Sequence, residues 1–232
     1  MSEQQHVTAM FDDIAPRYDF LNHLLSFNID KIWRRKTARF ITRHKPANIL
    51  DLATGTADLA ILLARSCPQA KITGLDLSEN MLQIGQQKIK TKHLEQQITL
   101  NQGDACKLPF ADNSFDAITV AFGVRNFQNL EEGLSEMQRV IRPGGHIAVL
   151  EFSTPTRILF KSLYSFYFHK ILPIIGKTVS KNDSAYSYLP DSVSKFPQPE
   201  KFIALLSLHG LNCTQKQSLS GGIATLYCIE KQ

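Results

Sequence analysis

Cysteine is scarce in this chain: four residues in 232, at Cys67, Cys106, Cys213 and Cys228, with no C-x-x-C pair. So few in a chain of this length argue against a disulfide framework. The seven histidines are scattered along the sequence, which argues against structural zinc, and no metal site is expected. Long hydrophobic runs are also missing. No apolar stretch approaches the ~18 residues that a membrane-spanning helix requires. The first residues, MSEQQHVTAMFDDIAPRYD, are polar and acidic and lack the apolar core of a secretory signal. A cytoplasmic protein is the expectation. No internal repeat and no low-complexity segment is found. Acidic residues are absent from two long stretches: residues 31–45 hold seven Lys/Arg and residues 155–181 hold five, with no Asp or Glu in either. The chain carries +5 overall with a pI near 9.0, so the rest sums to −7. Two basic patches on an otherwise acidic protein point to an anionic partner surface.

What is present is ordinary globular composition, 43% hydrophobic and 20% charged, enough to build a core. From Asn48 onward, strand and helix patterns alternate. Strands are expected at Asn48 to Ala53, Lys71 to Leu77, Ile98 to Gln102, Phe115 to Phe122 and His146 to Phe152. Between them, helical spacing covers Thr56 to Arg65, Ser78 to Lys90 with Ser78 as N-cap, and Leu130 to Ile141, ahead of Pro143-Gly144-Gly145. The continuous apolar run Phe115 to Phe122 reads as a strand buried on both faces. Alternation of this kind predicts a doubly wound α/β fold with a mostly parallel sheet. A helix is expected around Pro199 to His209. Leu211 to Leu219 and Ile223 to Glu230 flank Ser220-Gly221-Gly222, a C-terminal antiparallel hairpin. The chain is read as one domain, residues 1–232, with two elements outside the alternation. Residues 1–45 are a helical cover, expected to break at Ala15-Pro16. Residues 155–197 are an insertion of lid or substrate-binding type, holding the aromatic stretch Phe160 to Ile175; an ordinary packing helix is its plainer reading.

Ligands of open α/β sheets bind beyond the carboxyl ends of the strands. The first strand runs into DLATGTAD (Asp51 to Asp58), with Gly55 at the turn into a helix. The dinucleotide pattern G-x-G-x-x-G is missing, because Ala53 and Ala57 stand where further glycines would be. That disfavours a pyrophosphate cradle and leaves a nucleoside ligand open. Asp76 ends the second strand, where an acid accepts from both ribose hydroxyls. Asp104 follows the third, where a carboxylate accepts from an exocyclic amine.

These residues resemble the class I S-adenosylmethionine-dependent methyltransferases, whose fold is a Rossmann-like sheet of seven strands. Four longer segments narrow the resemblance: Met10 to Arg34 (MFDDIAPRYDFLNHLLSFNIDKIWR), Gly103 to Asp116 (GDACKLPFADNSFD), Ala121 to Phe127 (AFGVRNF) and Tyr188 to Pro197 (YLPDSVSKFP). They are similar to the menaquinone/ubiquinone biosynthesis C-methyltransferases, over nearly the whole chain. The resemblance implies S-adenosylmethionine as cofactor, with Thr56, Gly55, Asp76, Leu77, Asp104, Ala105 and Tyr18 as its contacts. It implies a polyprenyl quinol substrate and C-methylation of demethylmenaquinol to menaquinol. Ubiquinone precursors are the alternative substrate, although members acting on them often have Ser at the position of Ala121.

Such chemistry needs a positioned ring carbon and a group that stabilises a developing oxyanion. Arg125, just past the fourth strand, is the candidate. Asn126 is placed to bond the quinol or fix the arginine, and Asp104 completes the catalytic set. The plainer role for Arg125 is an ion pair with Asp104 or Glu151. Tyr18 and Asp19 belong to the helical cover, with Tyr18 a gate over the cofactor or a packing residue. The basic patches and the aromatic stretch suit a peripheral position on an anionic membrane, at the inner face of the cytoplasmic membrane. A homodimer is left open. A nucleic-acid methyltransferase is disfavoured: amino-directed base methylases carry N/D-P-P-aromatic after the fourth strand, and this chain has Phe122-Gly123-Val124-Arg125-Asn126. A non-catalytic cofactor-binding protein is the remaining rival, and it predicts binding without turnover.

Overall fold

The computed structural model describes residues 3–155 and 184–232. The aromatic stretch Phe160 to Ile175 and nearly all of the second basic segment lie outside the described residues.

Seven strands form one sheet in the order β3-β2-β1-β4-β5-β7-β6. Strands β1 (Asn48–Leu52), β2 (Lys71–Asp76), β3 (Ile98–Gln102), β4 (Phe115–Ala121) and β5 (Ile141–Phe152) run parallel. At the edge, β7 (Ala224–Lys231) is antiparallel to both β5 and β6 (Leu211–Leu219). The doubly wound sheet with its antiparallel C-terminal pair is therefore as expected. The order reverses between β1 and β4, so the crevice opens there.

Side-chain alternation along the strands divides the core into two layers. Ile49, Ile72, Ala117 and Leu150 pack with Trp33, Ile41, Leu59 and Leu63 on one face. Leu50, Leu75, Ile118, Val120 and Val149 pack with Leu134, Met137, Phe202 and Leu206 on the other. The first face is covered by α2 (Ile29–Thr42) and α3 (Asp58–Ser66), the second by α5 (Leu130–Val140) and α7 (Pro199–Leu208). Helix α4 (Glu79–Thr91) begins as expected: the Ser78 hydroxyl accepts from the Met81 N–H at 3.1 Å.

Two expectations are corrected. Helix α1 (Glu3–Leu25) continues past Pro16. Proline cannot donate to the carbonyl four residues earlier. Here that carbonyl, on Asp12, accepts from the Asn80 amide of α4 at 3.3 Å, which removes the reason to break. The chain turns instead at Ser26–Asn28, where Phe27 and Asn28 both take positive φ (50° and 60°). Also, β5 starts at Ile141 rather than after the Pro-Gly-Gly segment, which lies within it as a bulge: Phe115 pairs with Ile141, but Ala117 pairs with His146.

Helix α2 is amphipathic. Asp30, Trp33, Arg34, Thr37, Ala38 and Ile41 are buried, while Lys31, Arg35, Lys36, Arg39, Arg43 and Lys45 are exposed. Helix α1 packs along α4, α2 and the described helix of the insertion, α6 (Ser184–Lys195).

Candidate active site

Three adjoining cavities lie at the carboxyl end of the sheet, beneath α1. The first is walled by the strand ends: Gly55 after β1, Asp76 and Leu77 at β2, Asp104 and Ala105 after β3, and Asn126 beyond β4. Val7, Thr8, Phe11 and Tyr18 of α1 roof it. The strand turns that build it are tight. Gly55 has φ of +56°, and a Cβ there would project into open space, so ligand atoms have room to approach the backbone. Gly123 is needed for a different reason: a Cβ would meet Ala53 Cβ at 2.3 Å.

Asp76 is held by both loops. One carboxylate oxygen accepts the Gly55 N–H at 2.7 Å and the other accepts the Ser78 N–H at 2.9 Å. Each oxygen keeps a lone pair for a ligand hydroxyl. Burial pushes its pKa up, while those backbone donors pull it down. An Asp104 oxygen accepts the Cys106 N–H at 2.9 Å.

The second cavity lies on the other side of Phe11, Tyr18 and Phe122, which line both. Its floor is a stacked pair, Phe122 and Phe152, with ring centroids 4.5 Å apart. Two guanidiniums flank the pair: Arg34 lies 5.5 Å from the Phe122 centroid and Arg125 lies 5.4 Å from that of Phe152. Arg125 is buried and paired with Glu151 at 2.7 Å, the acid being wholly inaccessible. It also donates to the Phe122 carbonyl at 2.6 Å and to the Ser192 hydroxyl at 3.2 Å. Its Nη2 donors have no hydrogen-bond acceptor among the described residues. Asn126 accepts the Tyr188 hydroxyl at 2.9 Å, which leaves its amide N–H groups as donors.

The third cavity is small and polar, lined by Tyr18, Arg34, Asp51, Thr54, Gly55, Thr56 and Asp58, among others. The Thr56 hydroxyl donates to Asp19 at 2.5 Å. The Lys88 ammonium reaches Asp19 at 2.9 Å and also pairs with Asp58. Burial works to raise the Asp58 pKa, but the Lys88 charge and hydrogen bond hold it below the usual range.

Of the residues singled out in the sequence, Gly55, Asp76, Leu77, Asp104, Ala105, Tyr18 and Asn126 thus line the first cavity. Arg125 lies in the second and Thr56 in the third, and Tyr18 touches all three. Burial raises the Tyr18 pKa. It stays a neutral phenol that donates and accepts but does not serve as an anion.

The model of the ubiE/COQ5 methyltransferase family matches residues 1–231. The chain belongs to that family. Among its relatives, a demethylmenaquinone methyltransferase from Bacteroides fragilis is 45% identical across 99% of this chain and 94% of its own length. A ubiquinone/menaquinone biosynthesis C-methyltransferase UbiE from Geotalea daltonii is 48% identical across 98% of this chain and 97% of its own. The solved structure of the [4+2]-cyclase SpnF shares the fold, with a TM-score of 0.73 at 16% identity, covering 99% of this chain and 97% of that one.

Several residues of this ubiE/COQ5 site escape a reading of strand ends. Arg34 and Asp30 come from α2: Arg34 falls within the basic stretch 31–45, and Asp30 stands just before it. The helical period does place them: 30, 34, 37, 38 and 41 share one stripe with the core residues. Phe152 and Ser192 reach Arg125 only through the tertiary fold, whereas its ion pair is with Glu151, one of the two partners expected from the sequence, and not with Asp104. Asp51, at the end of β1, is wholly buried between two threonines, accepting from Thr54 at 2.6 Å and Thr119 at 2.5 Å.

Burial lifts the Asp51 pKa from 3.8 to about 6, against the pull of its threonine donors. The folded state therefore holds this proton more tightly than the unfolded chain. The group's stabilising share is complete below pH 4 and is lost as pH rises through 6, about 3 kcal/mol in all. Asp51→Asn removes the titration. The stability of the variant relative to the parent is expected to rise between pH 4 and pH 7 by up to that amount. Paired urea melts at the two pH values check it, and a pH-independent difference contradicts it.

Proposed function

We propose that this protein transfers a methyl group from S-adenosylmethionine to a ring carbon of demethylmenaquinol, giving menaquinol. The observation that carries the reading is the pairing of two cavities across Phe11, Tyr18 and Phe122, one suited to a nucleoside sulfonium and one to a planar ring. The first fits the cofactor: Asp76 keeps an acceptor on each oxygen for the ribose hydroxyls, and Gly55 leaves space for backbone approach. Asp104 and Ala105 flank the adenine position. The bound cofactor supplies the electrophilic methyl group.

The chain's own residues do the rest. Phe122 and Phe152 hold the quinol ring flat. The free donors of Arg125 stabilise negative charge as a quinol hydroxyl gives its proton to a water and the adjacent ring carbon becomes nucleophilic. Arginine is too weak an acid to serve as the base. Glu151 and Ser192 fix the guanidinium, Asn126 offers its amide N–H groups at the border of the two cavities, and Asp104 acts from the cofactor side. Helix α1 shields both cavities from water as a cover, and the insertion completes the substrate side through Tyr188 and Leu189 of α6. A polyprenyl methoxybenzoquinol is the second reading, favoured by the relatives named for both quinones. Measuring kcat/KM for both reduced substrates tests the choice: demethylmenaquinol is expected to be preferred, and preference for the benzoquinol overturns it.

We also propose that the protein works at the inner face of an anionic membrane, reached through the junction of α1 and α2. No helix among the described residues is long and apolar enough to cross a membrane. Six cations of residues 31–45 are exposed, and none forms an ion pair among the described residues. Beside them stand the exposed apolar side chains of Phe20, Phe27, Ile29 and Ile32, with Phe27 75% exposed at the tip of the turn. Apolar residues rimmed by cations suit an interfacial anchor, each cation contributing up to ~1 kcal/mol near anionic lipid. Arg34 takes no part, because it points inward to Asp30. Vesicle sedimentation is expected to rise with anionic lipid, fall with salt, and weaken in Arg35→Gln/Lys36→Gln/Arg39→Gln. Equal recovery with neutral and anionic vesicles contradicts the proposal.

A further inference from the structure

Arg34 is a buried cation with most of its hydrogen-bonding capacity unused. It is 9% exposed, and its guanidinium has a single hydrogen-bond partner among the described residues, Asp30 Oδ2. A guanidinium carries five N–H donors, and buried donors are nearly always satisfied. Asp30 by contrast has three partners, since it also accepts from Ser26 at 2.6 Å and lies 2.9 Å from the His23 ring. Arg34 lines both the second and the third cavities, which puts its remaining donors within reach of a ligand in either.

The third cavity indicates which ligand group. Its lining includes two carboxylates, Asp51 and Asp58, the second already paired with Lys88, and Arg34 is the one cation among the described residues that line it. The hydroxyls of Thr54 and Thr56 are engaged with Asp51 and Asp19. A lone anion would be repelled from such a space, and a lone cation would meet the guanidinium. A zwitterion, with its ammonium toward the acids and its carboxylate toward Arg34, satisfies both. Gly55, whose missing Cβ leaves open space, lines the first and third cavities alike. One ligand can therefore run from the nucleoside cavity into this polar end.

We propose that Arg34 binds the α-carboxylate of the cofactor's methionine moiety, making α2 part of the cofactor site. The inference rests on the reading of the first cavity as a nucleoside sulfonium site. An anionic oxygen facing Arg34 has a second source, the ionised quinol in the second cavity, and the experiment separates the two.

Calorimetry is done on the intact protein and on Arg34→Gln with S-adenosylmethionine and with decarboxylated S-adenosylmethionine, which lacks only the carboxylate. Loss of a charge-assisted contact is expected to weaken S-adenosylmethionine binding ten- to hundred-fold. The decarboxylated ligand should bind both proteins within about two-fold, so the parent discriminates between the ligands and the variant does not. Asp30→Asn/Arg34→Gln, which leaves no unpaired buried charge, should behave as the single variant does. Equal weakening of both ligands in both variants makes Arg34 a structural support and overturns the proposal. Unchanged affinity for both ligands with a raised KM for quinol assigns the oxyanion to the substrate and also overturns it. If the parent binds neither ligand, the underlying cofactor reading fails, whatever the role of Arg34.

Discussion

Arg125→Ala is expected to lower turnover by roughly 10²–10³, the usual loss when an oxyanion donor is removed, while cofactor affinity stays within a few-fold. The structure adds a second consequence. Arg125 is the ion-pair partner of Glu151, which is fully buried at the end of β5. Leaving that carboxylate unpaired costs about 3–5 kcal/mol of stability. The single variant therefore confounds catalysis with folding. Arg125→Gln/Glu151→Gln separates them, because two neutral amides can still bond each other and the Phe122 carbonyl. Stability should return to within about 1–2 kcal/mol of the parent, and turnover should remain low. If the double variant regains full turnover, Arg125 is structural only.

Asp76→Ala is expected to weaken S-adenosylmethionine binding by about 2–4 kcal/mol, roughly thirty- to thousand-fold. Two contributions combine. The ribose hydroxyls lose a carboxylate with an acceptor on each oxygen. The Gly55 and Ser78 amides also lose the group that holds their loops in place at 2.7 and 2.9 Å, so the cavity is no longer pre-formed. Asp76→Asn keeps one acceptor and should fall between the parent and the alanine variant. Calorimetry reads both, and unchanged affinity in Asp76→Ala removes the ribose assignment.

The fold was legible where periodicity is strong. The apolar run at Phe115 to Phe122 and the alternation from Asn48 onward predict the parallel sheet, and Ser218 pairs with Thr225 across the expected hairpin. The cofactor side of the site was legible too, because a glycine turn and acids at strand ends are local features of sequence. The substrate side was not. The ion pair of Arg125 with Glu151 is the exception, being the plainer role that the sequence offers for the arginine; the stack of Phe122 on Phe152 and the guanidinium of Arg34 depend on residues far apart in sequence meeting at the sheet edge. Pro16 misled because the loss of its N–H is local, whereas the compensation by Asn80 is tertiary. Arg34 misled because charge was counted along the chain rather than around the helix.

The measurement that bears most directly on the account is a single turnover with S-adenosylmethionine labelled in its methyl group and reduced demethylmenaquinone, followed by mass and fragment analysis of the quinone. The account predicts one labelled methyl per quinone, bonded to the ring carbon and retained on reoxidation, with no transfer to the oxidised substrate. Label on a quinol oxygen, or tight cofactor binding with no transfer to the quinol, would contradict it.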